Sequence, residues 1–349
     1  MRNTIEAIRP VDKTVGNDVQ AYLHTLTKPI GSLGMLESLA VQLGEITSNK
    51  FPEVSPPGII VFAADHGIAD EGVSAYPKEV TAQMVHNFLQ GGAAINVLAK
   101  QIGAMFQIVD IGVSTFIESE NLVNRKIRNG TGNFLYEDAM SRKEAIDAIE
   151  VGIDVATKLI QDGAKCIIPG EMGIGNTTSS SAILAILSQE DISMIVGSGT
   201  GITEEQRKYK EKVIQNSITS REPNREDVMD VLAKVGGLEI AGMTGAILGA
   251  ASKKTPILID GFISTIAALV AVKLCEHVKD YLIIGHQSEE RGHQIALEML
   301  ECKPILNLQL RLGEGTGAAL AFPLLKASVN ILQEMATFSS AGVTEREKQ

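Results

Sequence analysis

Six short apolar runs recur through the body of the chain, and a glycine lies at or just beyond the end of each. The runs are Ile59–Ala63, Phe106–Ile111, Cys166–Ile168, Ser193–Val196, Ile257–Ile259 and Leu282–Ile284, followed by Gly67, Gly112, Gly170, Gly197, Gly261 and Gly285. Each is rich in Ile or Val and lacks polar alternation, as strands buried on both faces of a parallel sheet do. Helical stretches separate them, which predicts right-handed crossovers. The pattern predicts an α/β fold with a parallel six-stranded sheet flanked by helices. Its polar glycine turns then gather at the carboxyl edge of the sheet, where an open parallel sheet binds ligands.

The segment before Pro57 has a different character. Val19, Leu23 and Leu26 share one helical face, and Leu33, Leu36, Leu39, Ala40 and Leu43 share another. A turn containing Pro29, Gly31 and Gly34 joins them. Ser141-x-x-Glu144 and Thr203-x-x-Gln206 read as capping boxes, and Gly91-Gly92 and Gly236-Gly237 as helix stops. The last helix, Thr316 to about Leu332, contains Pro323, where a kink is expected.

Composition narrows the partners. The net charge of −11 opposes nucleic acid and acidic membrane, and with no tryptophan and 4% aromatics there is little with which to stack bases. A phosphate ligand therefore needs local backbone donors and a few placed cations. Cys166, Cys275 and Cys302 have no metal-ligand spacing and fit reduced thiols in a cytoplasm. The N-terminus has no apolar signal core, and the longest apolar run, Ile266 to Val272, is too short to span a bilayer. A soluble, cytoplasmic protein is expected.

The third run leads into Gly170, Gly173 and Gly175, then Asn176, Thr177 and further hydroxyl residues before an apolar helical stretch. Strand, glycine turn and helix N-terminus in that order make an anion cradle. The spacing Gly170-x-x-x-x-Gly175-Asn176-Thr177 imitates a P-loop, except that asparagine replaces the phosphate-binding lysine. The turn Gly197-Ser198-Gly199-Thr200-Gly201, with Lys208, Lys210 and Lys212 in the helix behind it, is a second cradle or merely a solvated charged face.

Other turns carry titratable groups. Asp65-His66 at the end of the first run is a site or a buried hydrogen-bonded pair. Asp260 stands alone where phosphoribosyltransferases that use a pyrophosphorylated sugar carry paired acids, so a metal-bridged pyrophosphate donor is disfavoured. His286, Glu289, Glu290 and His293 lack the His-x3-His spacing that grips zinc on one helix face. Glu314, between Gly313 and Gly315, is either a general base with a raised pKa in a dry turn or a helix-start acid compensating the dipole.

Together these segments resemble the nicotinate-nucleotide–dimethylbenzimidazole phosphoribosyltransferases of cobalamin lower-ligand synthesis. The resemblance runs through Lys28–Glu37, Ala63–Gly67, Gly170–Thr178, Gly236–Met243, Asp260–Phe262, His286–Ser288 and Arg311–Gly317, nearly the whole chain in order. It implies transfer of the phosphoribosyl group of nicotinate mononucleotide to 5,6-dimethylbenzimidazole with inversion at C1′. It implies a Rossmann-like catalytic domain over residues 56–324 and a small helical domain, residues 1–55 with part of 325–349. A homodimer, no metal and no cofactor are implied as well. By this resemblance Glu314 is the general base and Glu171 a second active-site carboxylate. Lys210 and the turns Gly173–Thr178 and Ser198–Gly201 hold the phosphate, while Ser74, Tyr76 and Gln83 shape the benzimidazole pocket. Two rivals remain. One is a metal-dependent hydrolase using Asp65, His66, Asp260, His286 and His293, and the other a nucleotide-sensing module on the Gly170 loop.

Overall fold

The apolar runs pair as parallel strands in a computed structural model that describes residues 1–197 and 201–344. The strands are β1 Pro57–Ala64, β2 Met105–Gly112, β3 Leu122–Asn124, β4 Cys166–Met172, β5 Ile257–Ile259, β6 Leu282–His286 and β7 Pro304–Leu306. Their order is β3-β2-β1-β4-β5-β6-β7, and every adjacent pair is parallel. The order is the doubly wound one with an additional edge strand.

The expected count of six is corrected to seven among the described residues, and one of the six runs is not a strand. Ser193–Val196 falls on a single helical turn, Ile192–Ile195, whose N-cap Asp191 accepts a hydrogen bond from the Ser193 N–H. An Asx cap fixes the chain in a turn before the apolar residues can extend. The two strands that the sequence reading lacks, β3 and β7, are three-residue edges that are only partly buried, so they carry no sustained apolar run. The third run is also longer than its apolar part, since β4 continues through Pro169, Gly170 and Glu171 to Met172.

Helices cover both faces. Phe62, paired in register with Glu171, meets Gly242 of the helix Leu238–Ser252. Ile168 and Gly170, whose side-chain positions point the other way, meet Gly315 and Glu314 at the start of the helix Thr316–Glu334. The capping boxes at Ser141 and Thr203 form as expected. Pro323 lies inside an unbroken helical span. At the chain ends a second cluster, Val19, Leu23, Leu26, Ala40 and Leu332, packs apart from the main core. Among the described residues no helix is long and apolar enough to cross a membrane.

Candidate active site

The carboxyl ends of β4, β5 and β6 and the turn before Thr316 enclose a cavity of ≈ 400 Å³. Glu171 enters it from β4, Asp260 from the residue after β5, His286 from the end of β6 and Glu314 from the last turn. Tyr76, Val80, Met84, Phe262 and Leu312 form an apolar wall. Gly173, Asn176 and Thr177, at the N-terminus of the helix Asn176–Ser188, form a polar one.

Glu314 is buried at φ +64, a left-handed conformation that a residue with a Cβ adopts only under constraint. Two glycines, Gly313 and Gly315 at φ +90 and +91, flank it. A third makes room beneath: a Cβ on Gly170 would lie 2.4 Å from the Glu314 carbonyl oxygen. The first glycine of the P-loop-like spacing therefore seats the Glu314 turn against β4. The Glu314 Oε2 has no hydrogen-bond partner among the described residues. Burial, with the Asp260 charge adding to it and the Ile95 N–H opposing it, raises the Glu314 carboxyl to about 7.

Glu171 is buried as well. Its Oε2 accepts from the Asn176 amide, and its Oε1 lies 3.4 Å from the Glu314 N–H. Burial, followed by the charges of Glu239 and Asp260, pushes it up to about 8. The asparagine that replaces the P-loop lysine thus binds a carboxylate of the protein.

Lys210 comes from the helix Glu204–Arg221 and is buried, its Nζ donating to Thr177 Oγ1 at 2.8 Å. Burial lowers its pKa to about 8, against a pull upward from Glu290. Its partner Thr177 lines the cavity and Lys210 itself does not. Not every donor of the glycine turn is free for a ligand, since the Ile174 N–H bonds Thr81 Oγ1 and the Asn176 N–H the Gly173 carbonyl. Gly201, at φ +110, is exposed and does not line the cavity. Ser198, Gly199 and Thr200 lie outside the described residues.

Four further expected site residues, Gln83, Ser74, Asp65 and His66, lie away from the cavity. Gln83 is exposed on the helix Glu79–Leu89, whose Val80 and Met84 face the cavity instead. Ser74 accepts from the Tyr76 N–H at 3.3 Å, and only Tyr76 of that turn reaches the wall. Asp65 and His66 also miss the cavity. Asp65 Oδ2 accepts from the Ser114 N–H, while the buried His66 lies between the buried Ser179, Oγ at 3.1 Å, and Glu239, Oε1 at 2.6 Å. His66 supports the glycine turn from below, because a Cβ on Gly173 would meet its ring at 3.1 Å. The imagined hydrolase set is therefore divided: Asp260, His286 and His293 stand together, with His286 Nε2 3.4 Å from Asp260 Oδ1 and the two imidazole centroids 6.4 Å apart, while Asp65 and His66 lie away from the cavity. His293 is held by the Ser288 N–H and Thr265 and stays neutral, burial lowering its pKa to about 3. Among the described residues no group of three or more His, Cys, Asp or Glu side chains is arranged to hold a metal ion.

Sequence reasoning missed Glu239, Arg311 and the apolar wall. Glu239 had a signal, a carboxylate at the start of an otherwise almost wholly apolar helix, Leu238–Ser252. Val80, Met84, Phe262 and Leu312 had none, since apolar residues lining a site look like core.

A model of the phosphoribosyltransferase family matches residues 8–343. The nicotinate-nucleotide–dimethylbenzimidazole phosphoribosyltransferase of Halalkalibacterium halodurans is 52% identical over 344 residues, 99% of this chain and 96% of that one. The chain belongs to this family. Another member, from Geobacter sp. strain M21, is 51% identical over 345 residues, 99% of each chain. The crystal structure of the family enzyme from Thermus thermophilus matches with a TM-score of 0.91 at 40% identity, covering 96% of this chain and 100% of that one.

Proposed function

We propose that the chain transfers the phosphoribosyl group of nicotinate mononucleotide to 5,6-dimethylbenzimidazole, yielding α-ribazole 5′-phosphate and nicotinate. Glu314 carries the reading: a buried carboxylate with an unpartnered oxygen and a pKa near neutrality, held beside an apolar wall. A base of that strength removes a weakly acidic ring N–H at neutral pH better than an ordinary glutamate does. One benzimidazole nitrogen attacks C1′ as Glu314 takes the proton from the other. The C1′–N bond to nicotinate breaks, its electron pair returns to the pyridine ring, and attack opposite the leaving group inverts C1′.

The apolar wall of Val80, Met84 and Phe262 fits a flat bicyclic ring. Lys210 and Thr177 fit the 5′-phosphate. Glu171 holds its proton in the free site at neutral pH, and the pyridinium of the bound mononucleotide favours its ionised form. It then faces the oxocarbenium-like charge that develops at C1′. The reading includes a Rossmann-like catalytic domain of residues 56–324, a small helical domain from both chain ends, and a cytoplasmic homodimer. A second copy would cover the exposed Tyr76 and Leu312 at the cavity rim.

The test is a Glu314→Gln protein assayed for nicotinate release on addition of the benzimidazole, with products identified. Turnover is expected to fall on the order of 100-fold or more, the scale of general-base removal. Wild-type turnover in a normally folded variant overturns the role of Glu314. Mononucleotide binding without nicotinate release from the native protein would favour the sensing module.

A further inference from the structure

We infer that Asp260 is a positioning residue, its carboxylate clamping the turn that presents Glu314. The inference rests on the reading of Glu314 as general base. Asp260 is buried at the cavity wall, where a lone acid could serve as a ligand to sugar or cation. Its oxygens are instead engaged by the protein. Oδ2 accepts from the Gly315 N–H at 3.2 Å, and Oδ1 accepts from the Ala318 N–H at 2.9 Å.

These donors are the N-cap and third residues of the helix Thr316–Glu334, whose own N-cap, Gly315, has no side chain to offer. Asp260 thus supplies from another strand the acceptor that a capping Ser or Asp supplies locally. Its charge lies at the positive end of the helix dipole, which makes burial tolerable. His286 braces the same corner. Its Nε2 is 3.4 Å from Asp260 Oδ1, and its ring packs so closely on Gly317 that a Cβ there would lie 1.9 Å from Cδ2.

Glu314 needs such a clamp. A left-handed glutamate persists only where its surroundings over-determine it. Gly170 leaves room for it, Thr316 closes the turn with its N–H and hydroxyl on the Gly313 carbonyl, and Asp260 ties the turn to the end of β5 with two further hydrogen bonds. The same carboxylate stands beside the base as a like charge. The charged groups around Glu314 are Asp260 after β5, Glu171 from β4, His286 at the end of β6 behind Asp260, and Arg311 and Glu290 on the cavity wall. Among them Asp260 is the one that both fixes the turn and sustains the proton affinity of the base.

Asp260→Asn and Asp260→Glu separate the two effects. The asparagine removes the charge and turns an amide toward a backbone N–H. The glutamate keeps the charge and displaces the acceptors. For Asp260→Asn, kcat should fall at least about 10-fold, as small misplacements of a catalytic group do. The mononucleotide KM should stay within about 3-fold of wild type, since a group that acts only in the transition state leaves ground-state binding alone. The acid limb of its kcat/KM profile should move down by about one pH unit with the lost charge. For Asp260→Glu a similar loss of kcat is expected with the acid limb unmoved, and this variant decides the matter alone if the asparagine protein does not fold. A raised mononucleotide KM with kcat kept would make Asp260 a substrate ligand and overturn the inference, as would an unshifted acid limb in Asp260→Asn or wild-type kcat in Asp260→Glu. An inactive Glu314→Gln beside an unshifted Asp260→Asn removes this inference alone, whereas a fully active Glu314→Gln removes both.

Discussion

Glu314 and Lys210 are both buried, and burial moves their pKa values toward each other, to about 7 and about 8. A general base works ionised, so activity should rise as pH climbs through about 7. A phosphate-binding ammonium works protonated, so binding should weaken as pH climbs through about 8. The profile of kcat/KM for the mononucleotide is therefore expected to be a narrow bell between these values. At saturating mononucleotide the bound phosphate stabilises the ammonium, and the alkaline fall should move up or disappear from the kcat profile. Lys210→Arg keeps its charge at all these pH values. It should lower kcat/KM through poorer fit yet abolish the alkaline fall. An alkaline fall that survives unchanged in Lys210→Arg would remove the phosphate role from Lys210.

At the scale of elements, the helix Leu238–Ser252 is buried on nearly every face and lies against the helix Arg142–Gln161 almost backbone to backbone. Glycines permit the approach. A Cβ on Gly245 would lie 1.9 Å from the Ile149 carbonyl oxygen, and one on Gly249 would lie 3.0 Å from that of Ile153. Gly245→Ala must push the helices apart. Overpacking of this kind costs roughly 1–3 kcal/mol, which lowers Tm by several degrees in a chain of this size. Gly249→Ala should cost clearly less, and equal Tm shifts for the two would show that the helices do not depend on this contact. The element scale is also where the sequence was most legible. Long apolar runs such as Ile59–Ala63 and Phe106–Ile111 became β1 and β2 because burial on both faces leaves no other pattern. Ser193–Val196 looked the same and became helix, since a single Asp191 cap outweighs four residues of strand propensity. The site was legible where glycine and charge coincide, as at Gly313-Glu314-Gly315, and illegible where a helix had to be rotated. Gln83 shares its helix with Val80 and Met84, and its place in the sequence does not record which face meets the cavity; the face that does carries Val80 and Met84. The clamp at Asp260 was hidden for a simpler reason: its partners are backbone N–H groups more than fifty residues away, which no side-chain motif records.

At the scale of the molecule, two cores share their helices. Leu39, Leu43 and Ile46 of the helix Met35–Thr47 belong to the main core, while Ala40 of the same helix belongs to the small cluster. The final helix divides likewise, with Phe322, Leu325 and Val329 in the main core and Leu332 in the small one. The chain ends are tied as well. Leu26 forms an antiparallel bridge with Thr337, the Thr27 N–H bonds the Ala336 carbonyl at 3.0 Å, and the Phe338 N–H bonds the Thr25 carbonyl at 2.9 Å. A helical unit that shares two helices with the body cannot melt without exposing apolar surface of the body. One cooperative thermal transition is therefore expected, with nicotinate release lost along the same curve. Leu332→Ala opens a cavity in the small cluster, at a cost of about 2–5 kcal/mol, and should move that whole transition down. If Leu332→Ala instead splits off an early transition while the temperature at which activity is lost stays put, the helical ends fold apart from the catalytic body. The two shared helices then act as tethers between the cores, and Glu314, at the head of one of them, owes nothing to the cluster at its tail.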